Sequence, residues 1–189
     1  GGSTVTNSTF INTTANLGSG GAIYNNHNVM VIGSTFTNPT AGSGSAIFGG
    51  DGGITVTNST FINTTANIGS GGAIYNYNNV LTVTNSTFIN TKAIDYGGAI
   101  YTISISTINV INSTFTNNTA SSGGAIYSGS GGGNVTVTGC NFTNNTASSK
   151  GASIYTKSTL NVKDSTFNSP NANGTAIIYI QSSNKDVNL

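Results

Sequence analysis

The ionisable side chains are too few and too scattered to suggest a catalytic centre. Cleavage of a glycosidic bond normally needs two carboxylates about 5 to 10 Å apart. The chain has no glutamate and no arginine, and its only acids are Asp51, Asp95, Asp164 and Asp186. These four fall at different points of the sequence repeat described below, so we expect no acid pair. The sequence therefore predicts a protein that is not an enzyme.

Three further features could bind or react with a small ligand, and each has a simpler interpretation. His27 is the only histidine, and a metal site would need partner ligands that its surroundings lack. The segment Gly49 to Gly53, with Asp51 at its centre, is similar to one unit of a calcium-binding nonapeptide repeat, but it occurs once, which favours a turn insertion. Cys140 is the only cysteine, so an internal disulfide is excluded. We predict no metal and no cofactor.

Composition excludes two classes of partner. The 189 residues carry a net charge of +1, which offers no basic patch for nucleic acid and no polybasic membrane anchor. No stretch approaches the roughly 18 apolar residues of a membrane-spanning helix. The chain begins Gly-Gly, without an initiator methionine or a signal peptide, and this indicates a mature form or an excerpt of a longer chain.

The strongest signal is an internal repeat of 25 to 27 residues that is anchored by phenylalanine. A valine stands five residues before each phenylalanine, an alanine stands five residues after it, and an Ile-aromatic pair follows further on. The seven anchors are Phe10, Phe36, Phe61, Phe88, Phe115, Phe142 and Phe167.

This period predicts an all-β, right-handed, single-stranded parallel β-helix of about seven coils, formed as a single domain by residues 1–189. Each coil is expected to hold three short strands and three turns. Helical repeats do not fit, because no segment keeps a 3.6-residue period and strong helix formers are scarce. Leucine-rich repeats have a similar period, but the chain has four leucines only.

The side-chain alternation within one coil identifies a bend. In the segment Leu81 to Phe88, alternation points Leu81 and Val83 inward. Phe88 should also face inward, yet its parity is opposite, so Asn85 must change the direction of the chain. The equivalents of Asn85 are asparagine, glycine or aspartate, which best tolerate a left-handed backbone. They are Asn7, Gly33, Asn58, Asn112, Gly139 and Asp164.

Stacking of the coils has two consequences at and after this bend. The amides of Asn58, Asn85 and Asn112 are expected to form a ladder, because like residues lie above like. Cys140 replaces a serine at an inward position after the bend, so its thiol is interpreted as structural rather than reactive.

A second strand is marked by Gly-Gly-Ala-Ile-Tyr, as in Gly97 to Tyr101. We expect the isoleucine to face inward, and the alanine and tyrosine to face outward. If outward, the aromatic series is a stack of rings suited to contact with a glycan or a neighbouring molecule; the favoured alternatives are that it stabilises the sheet or faces inward. The series is Tyr24, Phe48, Tyr75, Tyr101, Tyr127, Tyr155 and Tyr179.

Asn-x-Ser/Thr sequons recur in most coils, and two groups can be separated. The bend asparagines, such as Asn58 and Asn85, are expected to be too enclosed for modification. The sequons beyond the phenylalanine are the better candidates for N-glycosylation. These candidates are Asn12, Asn63, Asn117 and Asn144.

Neither end of the chain shows a polar or helical cap of the kind that solenoids normally carry. The sequence opens inside a first strand, at Ser3, Thr4 and Val5. It closes at Val187, Asn188 and Leu189, which reads as the first strand of an eighth coil. Two interpretations follow: an excerpt of a longer β-helical stalk, or a subunit that stacks head to tail into a filament. The second is slightly favoured.

The repeated pairing of Gly-Gly-Ala-Ile with Asn-Ser-Thr-Phe resembles the repeats of chlamydial polymorphic outer-membrane proteins and of adhesin-like surface proteins of methanogenic archaea. The chlamydial motif uses Phe-x-x-Asn, which occurs here only at Asn118 and Asn145; Phe-x-Asn is the commoner form, as at Asn12 and Asn90. The resemblance implies an extracellular β-helix at the cell surface, used for adhesion or as a structural component. The alternative function is a carbohydrate-binding or carbohydrate-cleaving β-helix protein.

Overall fold

A computed structural model describes residues 1–104, 106–129, 133–169, 174–181 and 187–188, the last pair by their backbone alone. The chain forms a parallel β-solenoid of about seven coils, and the described residues contain no helix. Each of the first six coils contributes four strands, one to each of four parallel sheets, so the expectation of three strands per coil was wrong. The missed strand holds the alanine five residues after phenylalanine; it has two residues in the third and fourth coils, Thr65–Ala66 and Lys92–Ala93, and four to six residues in the other described coils that contain it.

The four sheets are named here by the residue type that recurs in each. The valine sheet contains Ser3–Thr6, Val29–Ile32, Ile54–Thr57, Leu81–Thr84, Ile108–Ile111, Asn134–Thr138, Thr159–Lys163 and Val187–Asn188. The phenylalanine sheet contains Thr9–Ile11, Thr35–Thr37, Thr60–Ile62, Thr87–Ile89, Thr114–Thr116, Asn141–Thr143 and Thr166–Asn168.

The other two sheets complete each coil. The alanine sheet contains Thr14–Ser19, Thr40–Ser43, Thr65–Ala66, Lys92–Ala93, Thr119–Ser122 and Thr146–Lys150. The tyrosine sheet contains Ile23–Asn25, Ile47–Gly49, Ile74–Asn76, Ile100–Thr102, Ile126–Ser128, Ile154–Thr156 and Ile178–Ile180. Every strand pairs in parallel with its equivalent in the neighbouring coil, as Phe61 does with Phe88. At about 4.8 Å per coil, seven coils span roughly 34 Å.

Three corners of the coil are turned by residues with a left-handed backbone. The first bend, between the valine and phenylalanine sheets, is the one predicted at Asn85, where φ is 49°. The second bend, between the phenylalanine and alanine sheets, was not predicted, and its residues are Asn12, Asn38, Asn63, Asn90, Asn117 and Asn144. The third bend precedes the tyrosine sheet and uses the first glycine of Gly-Gly-Ala-Ile; a side chain on Gly97 would put its Cβ 2.1 Å from the carbonyl oxygen of Ile100.

The interior follows the predicted alternation. Leu81, Val83 and Phe88 are fully buried, and Ile100 of the tyrosine sheet lies in the same core cluster. The phenylalanine rings form a continuous stack, with centroids 4.6 to 4.8 Å apart and nearly parallel planes.

One expectation about the interior is wrong: Ala73, predicted to face outward, is fully buried in the core cluster. The chain is still turning at Gly71–Ala73, so strict alternation does not apply there.

A ladder of hydroxyl groups runs beside the phenylalanine stack. The N–H of Ser59 donates to Ser86 Oγ at 3.2 Å, and the N–H of Ser86 donates to Ser113 Oγ at 3.1 Å. Each hydroxyl in turn donates to the carbonyl two residues earlier, as Ser86 Oγ does to Thr84 O at 2.8 Å. At the first bend the chain passes from one sheet to the next, and the serine N–H groups there have no sheet carbonyl to bond to. The serine hydroxyls of the next coil accept from these N–H groups instead.

Cys140 takes one position of this hydroxyl ladder. Its Sγ accepts from the N–H of Ser113 at 3.4 Å and donates to Thr138 O at 3.3 Å. The thiol is free and buried, and burial raises its pKa. These contacts support the structural interpretation of Cys140.

Candidate functional site

The aromatic series lies on the opposite side of the tyrosine sheet from the core. Ile74, Ile100 and Ile126 pack in the core cluster, whereas Tyr101, Tyr127 and Tyr155 form a separate cluster of their own. The rings follow one another from coil to coil with centroids 4.4 to 5.5 Å apart, and all of these pairs are stacked except Tyr75 and Tyr101, whose planes are tilted by 51°. The expectation that these side chains face away from the interior is therefore correct, although most of them are not freely exposed.

Exposure along this tyrosine ladder changes steeply. Tyr24, in the first coil, is 57% exposed, but Tyr101, Tyr127 and Tyr155 are only 4 to 7% exposed. Tyr96 shields part of the ladder from solvent, because its ring centre lies 4.5 Å from that of Tyr127. The sequence did not indicate this contact, because Tyr96 lies in a turn whose sequence occurs in one coil only.

Burial changes the acidity of the ladder phenols. Desolvation is the largest cause that raises the pKa of Tyr101 above its ordinary value of 10.0, and the neighbouring phenol of Tyr75 adds to it. The pKa values of Tyr75, Tyr127 and Tyr155 are raised by the same leading cause. The phenols therefore stay neutral at and well above physiological pH.

The far end of the ladder is held by two polar contacts. The hydroxyl of Tyr155 donates to the side-chain carbonyl of Gln181. The ammonium of Lys150 lies 4.8 Å from the centre of the Tyr179 ring, within range of a cation–π interaction. Within the stack each ring covers its neighbours, so ring edges rather than faces are available to a partner. Contact with a glycan or a partner at these residues stays a prediction.

The four predicted glycosylation candidates all lie at the exposed second bend. An amide ladder runs through part of this bend: Asn38 Nδ2 donates to Asn12 Oδ1 at 3.0 Å, and Asn63 Nδ2 donates to Asn38 Oδ1 at 3.1 Å. Asn90 Nδ2 continues it by donating to Asn63 Oδ1 at 3.2 Å. Asn117 and Asn144 make no such side-chain bonds with described residues. These contacts do not test N-glycosylation at Asn12, Asn63, Asn117 and Asn144, which is an expectation from the sequence alone.

The first bend differs from the expectation. Asn58, Asn85 and Asn112 are exposed rather than enclosed, and the structure places no hydrogen bond between their side chains. The amide ladder predicted at the first bend is therefore absent there, and the ladder that the structure has runs through Asn12, Asn38, Asn63 and Asn90 at the second bend.

The residues predicted as stacking ends lie on opposite edges of the solenoid. Ser3, Thr4 and Val5 pair with the second coil through Val29, Met30 and Val31. Val187 and Asn188 pair with Leu160 and Asn161, which confirms for these two residues the first strand of an eighth coil. Leu189 lies outside the described residues, as do Asp186, Ala172 and Asn173.

The described acids occupy separate parts of the coil. Asp51 lies in the turn after the tyrosine strand, Asp95 follows the alanine strand, and Asp164 is a first-bend residue. His27 and Asp51 line one shallow cavity of about 260 Å³. The two residues are separated by about one repeat, so they lie on neighbouring coils. Among the described residues no three His, Cys, Asp or Glu side chains come together as metal ligands. The described residues include no helix that is long and apolar enough to cross a membrane.

The two Phe-x-x-Asn asparagines are buried and bonded to each other. Asn118 Nδ2 donates to Asn145 Oδ1 at 2.9 Å, and Asn145 Nδ2 donates to Phe115 O at 3.0 Å. The N–H of Thr91, one coil earlier, donates to Asn118 Oδ1 at 3.0 Å. These amides therefore form a second, internal ladder just past the second bend.

Comparison with known proteins bears on these same coils. Residues 112–129 and 139–157 match the model of the Chlamydia polymorphic membrane protein repeat, and each matched segment contains one of the two buried asparagines. No curated protein and no solved structure matches the chain. Two of the seven coils thus match the chlamydial polymorphic membrane protein repeat, and the solenoid agrees with a β-helix built from repeats of this type. Such repeats are associated with surface proteins, which is consistent with a location at the cell surface.

Proposed function

We propose that this chain is a non-enzymatic, extracellular structural or adhesin-like protein, whose rod serves as a stalk or as a head-to-tail filament subunit at the cell surface. The observation that carries the proposal is the match of two coils to a membrane-protein repeat, within a solenoid that repeats the same architecture throughout.

The construction of the rod suits a spacer. Backbone hydrogen bonds of all four sheets run along the rod axis, from one coil to the next. The phenylalanine stack and the hydroxyl ladder run the same way. Each coil is therefore joined to its neighbours by many weak bonds in parallel, and coils can be added without a change of cross-section.

Location is tested by antibody labelling of the cells that make the protein. Labelling of intact cells at the level seen after permeabilisation is the expected result. Labelling that appears only after permeabilisation would contradict the proposal.

Stalk and filament are separated by negative-stain electron microscopy of the purified chain, with and without residues 187–189. Fibres that disappear on truncation would identify a filament subunit, because the strand Val187–Asn188 would then supply the edge on which another copy stacks. Short rods of uniform length in both samples would identify a stalk.

Carbohydrate binding is a second candidate, favoured by Tyr24, whose ring is exposed at the open end of the tyrosine ladder. A glycan array compares the wild-type chain with Tyr24→Ala. Binding that is lost in the variant would support this candidate, and equal signals from both proteins would remove it.

A further inference from the structure

The first-bend sequons differ from the second-bend sequons of Asn12 and Asn63 in what their side chains contact. The carboxamides of Asn7, Asn58, Asn85 and Asn112 are exposed, and they make no hydrogen bond with any described residue. Their backbone N–H groups are already paired, as that of Asn58 is with Thr84 O at 3.0 Å. The side chains are therefore free to react while the backbone stays in place.

The hydroxyl of each first-bend sequon is also free. The third residue of each is a threonine on the outer face of the phenylalanine sheet, such as Thr60 or Thr87, and its hydroxyl bonds to no described residue. At the second bend, by contrast, Asn63 is bonded on both sides within the amide ladder. The sequon threonines Thr119 and Thr146 are bonded to each other at 3.0 Å.

Glycine in the adjacent coil gives some of these asparagines additional room. A Cβ on Gly33 would lie 2.4 Å from Asn7 Oδ1, and a Cβ on Gly139 would lie 2.4 Å from Asn112 Oδ1. The carboxamide oxygen of each asparagine thus lies over a residue without a side chain. The amide nitrogen, on the other arm of the planar group, is left to the solvent.

We propose that the first bend is the N-glycosylation surface of this protein, with sugars on Asn7, Asn58 and Asn112. The donor is a sugar with a phosphate or diphosphate leaving group at its anomeric carbon. The Nδ2 atom bonds to that carbon, the bond to the phosphate oxygen breaks with its electron pair, and Nδ2 gives up one of its two protons to a base of the transferase. The glycans form a line along one edge of the rod and hydrate a surface that has few charges.

Spacing decides which sites are filled. Neighbouring coils are only about 4.8 Å apart, which is too close for sugars on two adjacent rungs. Asn58 has Gly33 on one side and Asn112 has Gly139 on one side, whereas Asn85 lies between two asparagines. Asn85 is therefore left bare when Asn58 and Asn112 are occupied.

The acceptor sites are tested on the folded chain from a host without N-glycosylation, with a soluble asparagine glycosyltransferase, UDP-glucose and peptide mapping by mass spectrometry. Peptides covering each sequon show which sequences the enzyme accepts. We expect one hexose each on Asn7, Asn58 and Asn112, and none on Asn63 or Asn85. Glucose on Asn63 of the folded chain, or none at the first bend while the peptides react, overturns the proposal.

The spacing argument has its own test in the double variant Asn58→Gln/Asn112→Gln. Removal of both neighbours should make Asn85 an acceptor, with the far-UV circular dichroism unchanged. An Asn85 that stays bare refutes the spacing argument. The same map on protein from its natural cells must show sugar at the first bend, and bare asparagines there would overturn the assignment. Since the transferase test uses purified chain, its outcome is independent of where the protein works.

Discussion

One side chain per coil, a serine except at Cys140, takes part in the hydroxyl ladder and can bond to backbone groups of its own coil and of the coil before it. Ser86 accepts from the N–H of Ser59 in the coil before it and donates to the carbonyl of Thr84. The contact with Ser59 is buried, so the N–H of Ser59 has no water to replace a lost acceptor. At the residue scale, stability therefore depends on small polar groups as well as on the large apolar rings.

We predict that Ser86→Ala lowers the free energy of unfolding by about 1 to 3 kcal/mol, because a buried backbone donor is left without a partner. Chemical denaturation followed by circular dichroism measures the change. Thr87→Ala, on the outer face of the next strand, is the matched control and should cost less than half as much. Equal losses in the two variants would show that the hydroxyl ladder contributes little.

Cys140 should behave as a member of the hydroxyl ladder rather than as a reactive thiol. Its burial raises the thiol pKa, so reaction with a disulfide reagent at pH 8 should be slow in the folded chain and fast after unfolding. Cys140→Ser should keep the fold and change stability by no more than about 1 kcal/mol, since serine fills the equivalent position in the other coils. Rapid labelling of the native thiol would contradict this view.

At the scale of the element, the tyrosine ladder links stability to alkaline pH. The phenols of Tyr75, Tyr101, Tyr127 and Tyr155 have raised pKa values in the folded chain, whereas an unfolded tyrosine titrates near its ordinary value of 10.0. Below pH 10 the phenols are neutral in both states, and the stability of the ladder is fully present. Above pH 10 the unfolded state loses protons first, so stability falls as pH rises toward the folded values.

The corresponding experiment is a denaturation series between pH 8 and 12 with the wild-type chain and Tyr127→Phe. Phe48 occupies the same place in the second coil and stacks normally there, so the variant should fold. It should lose less stability than the wild type above pH 10, because one titrating group has been removed. If the free energy of unfolding falls by the same amount above pH 10 in both proteins, the phenols do not control stability at alkaline pH.

The elements also show how far the sequence could lead. The inward positions of Leu81 and Phe88 follow from alternation plus one bend at Asn85, and all were predicted. The second bend at Asn90 was not predicted, although asparagine recurs two residues after phenylalanine in most coils. This Phe-x-Asn spacing matches a family motif, and the motif alone does not show that the asparagine needs a left-handed backbone. The cover that Tyr96 gives to Tyr127 could not be predicted, since no repeat aligns a unique turn with the ladder.

At the scale of the whole molecule, each phenylalanine in the middle of the stack has a ring on both sides, whereas the first and the last ring have a neighbour on one side only. Phe88 is fully buried, while Phe10 and Phe167, at the two ends of the stack, are only partly buried. A rod of this kind gains stability from nearest-neighbour contacts, so its ends are the least stable part.

Hydrogen exchange should therefore show a gradient along the rod. Amides of Phe61, Phe88 and Phe115 should exchange slowest, and those of Phe10 and Phe167 should exchange faster by at least about tenfold, which corresponds to about 1.4 kcal/mol. Peptide-level mass spectrometry measures the difference. Uniform protection from the first coil to the last would indicate a single cooperative unit instead.

The regular pairing of each residue with its equivalent one coil away has a consequence for the gene. A crossover between misaligned copies of the repeat adds or removes one whole coil, and every remaining side chain still meets a partner of its own type. Such an exchange preserves the reading frame and the register of all four sheets at once. Recombination in the gene can therefore lengthen or shorten this rod by one coil at a time, and each intermediate protein can still fold.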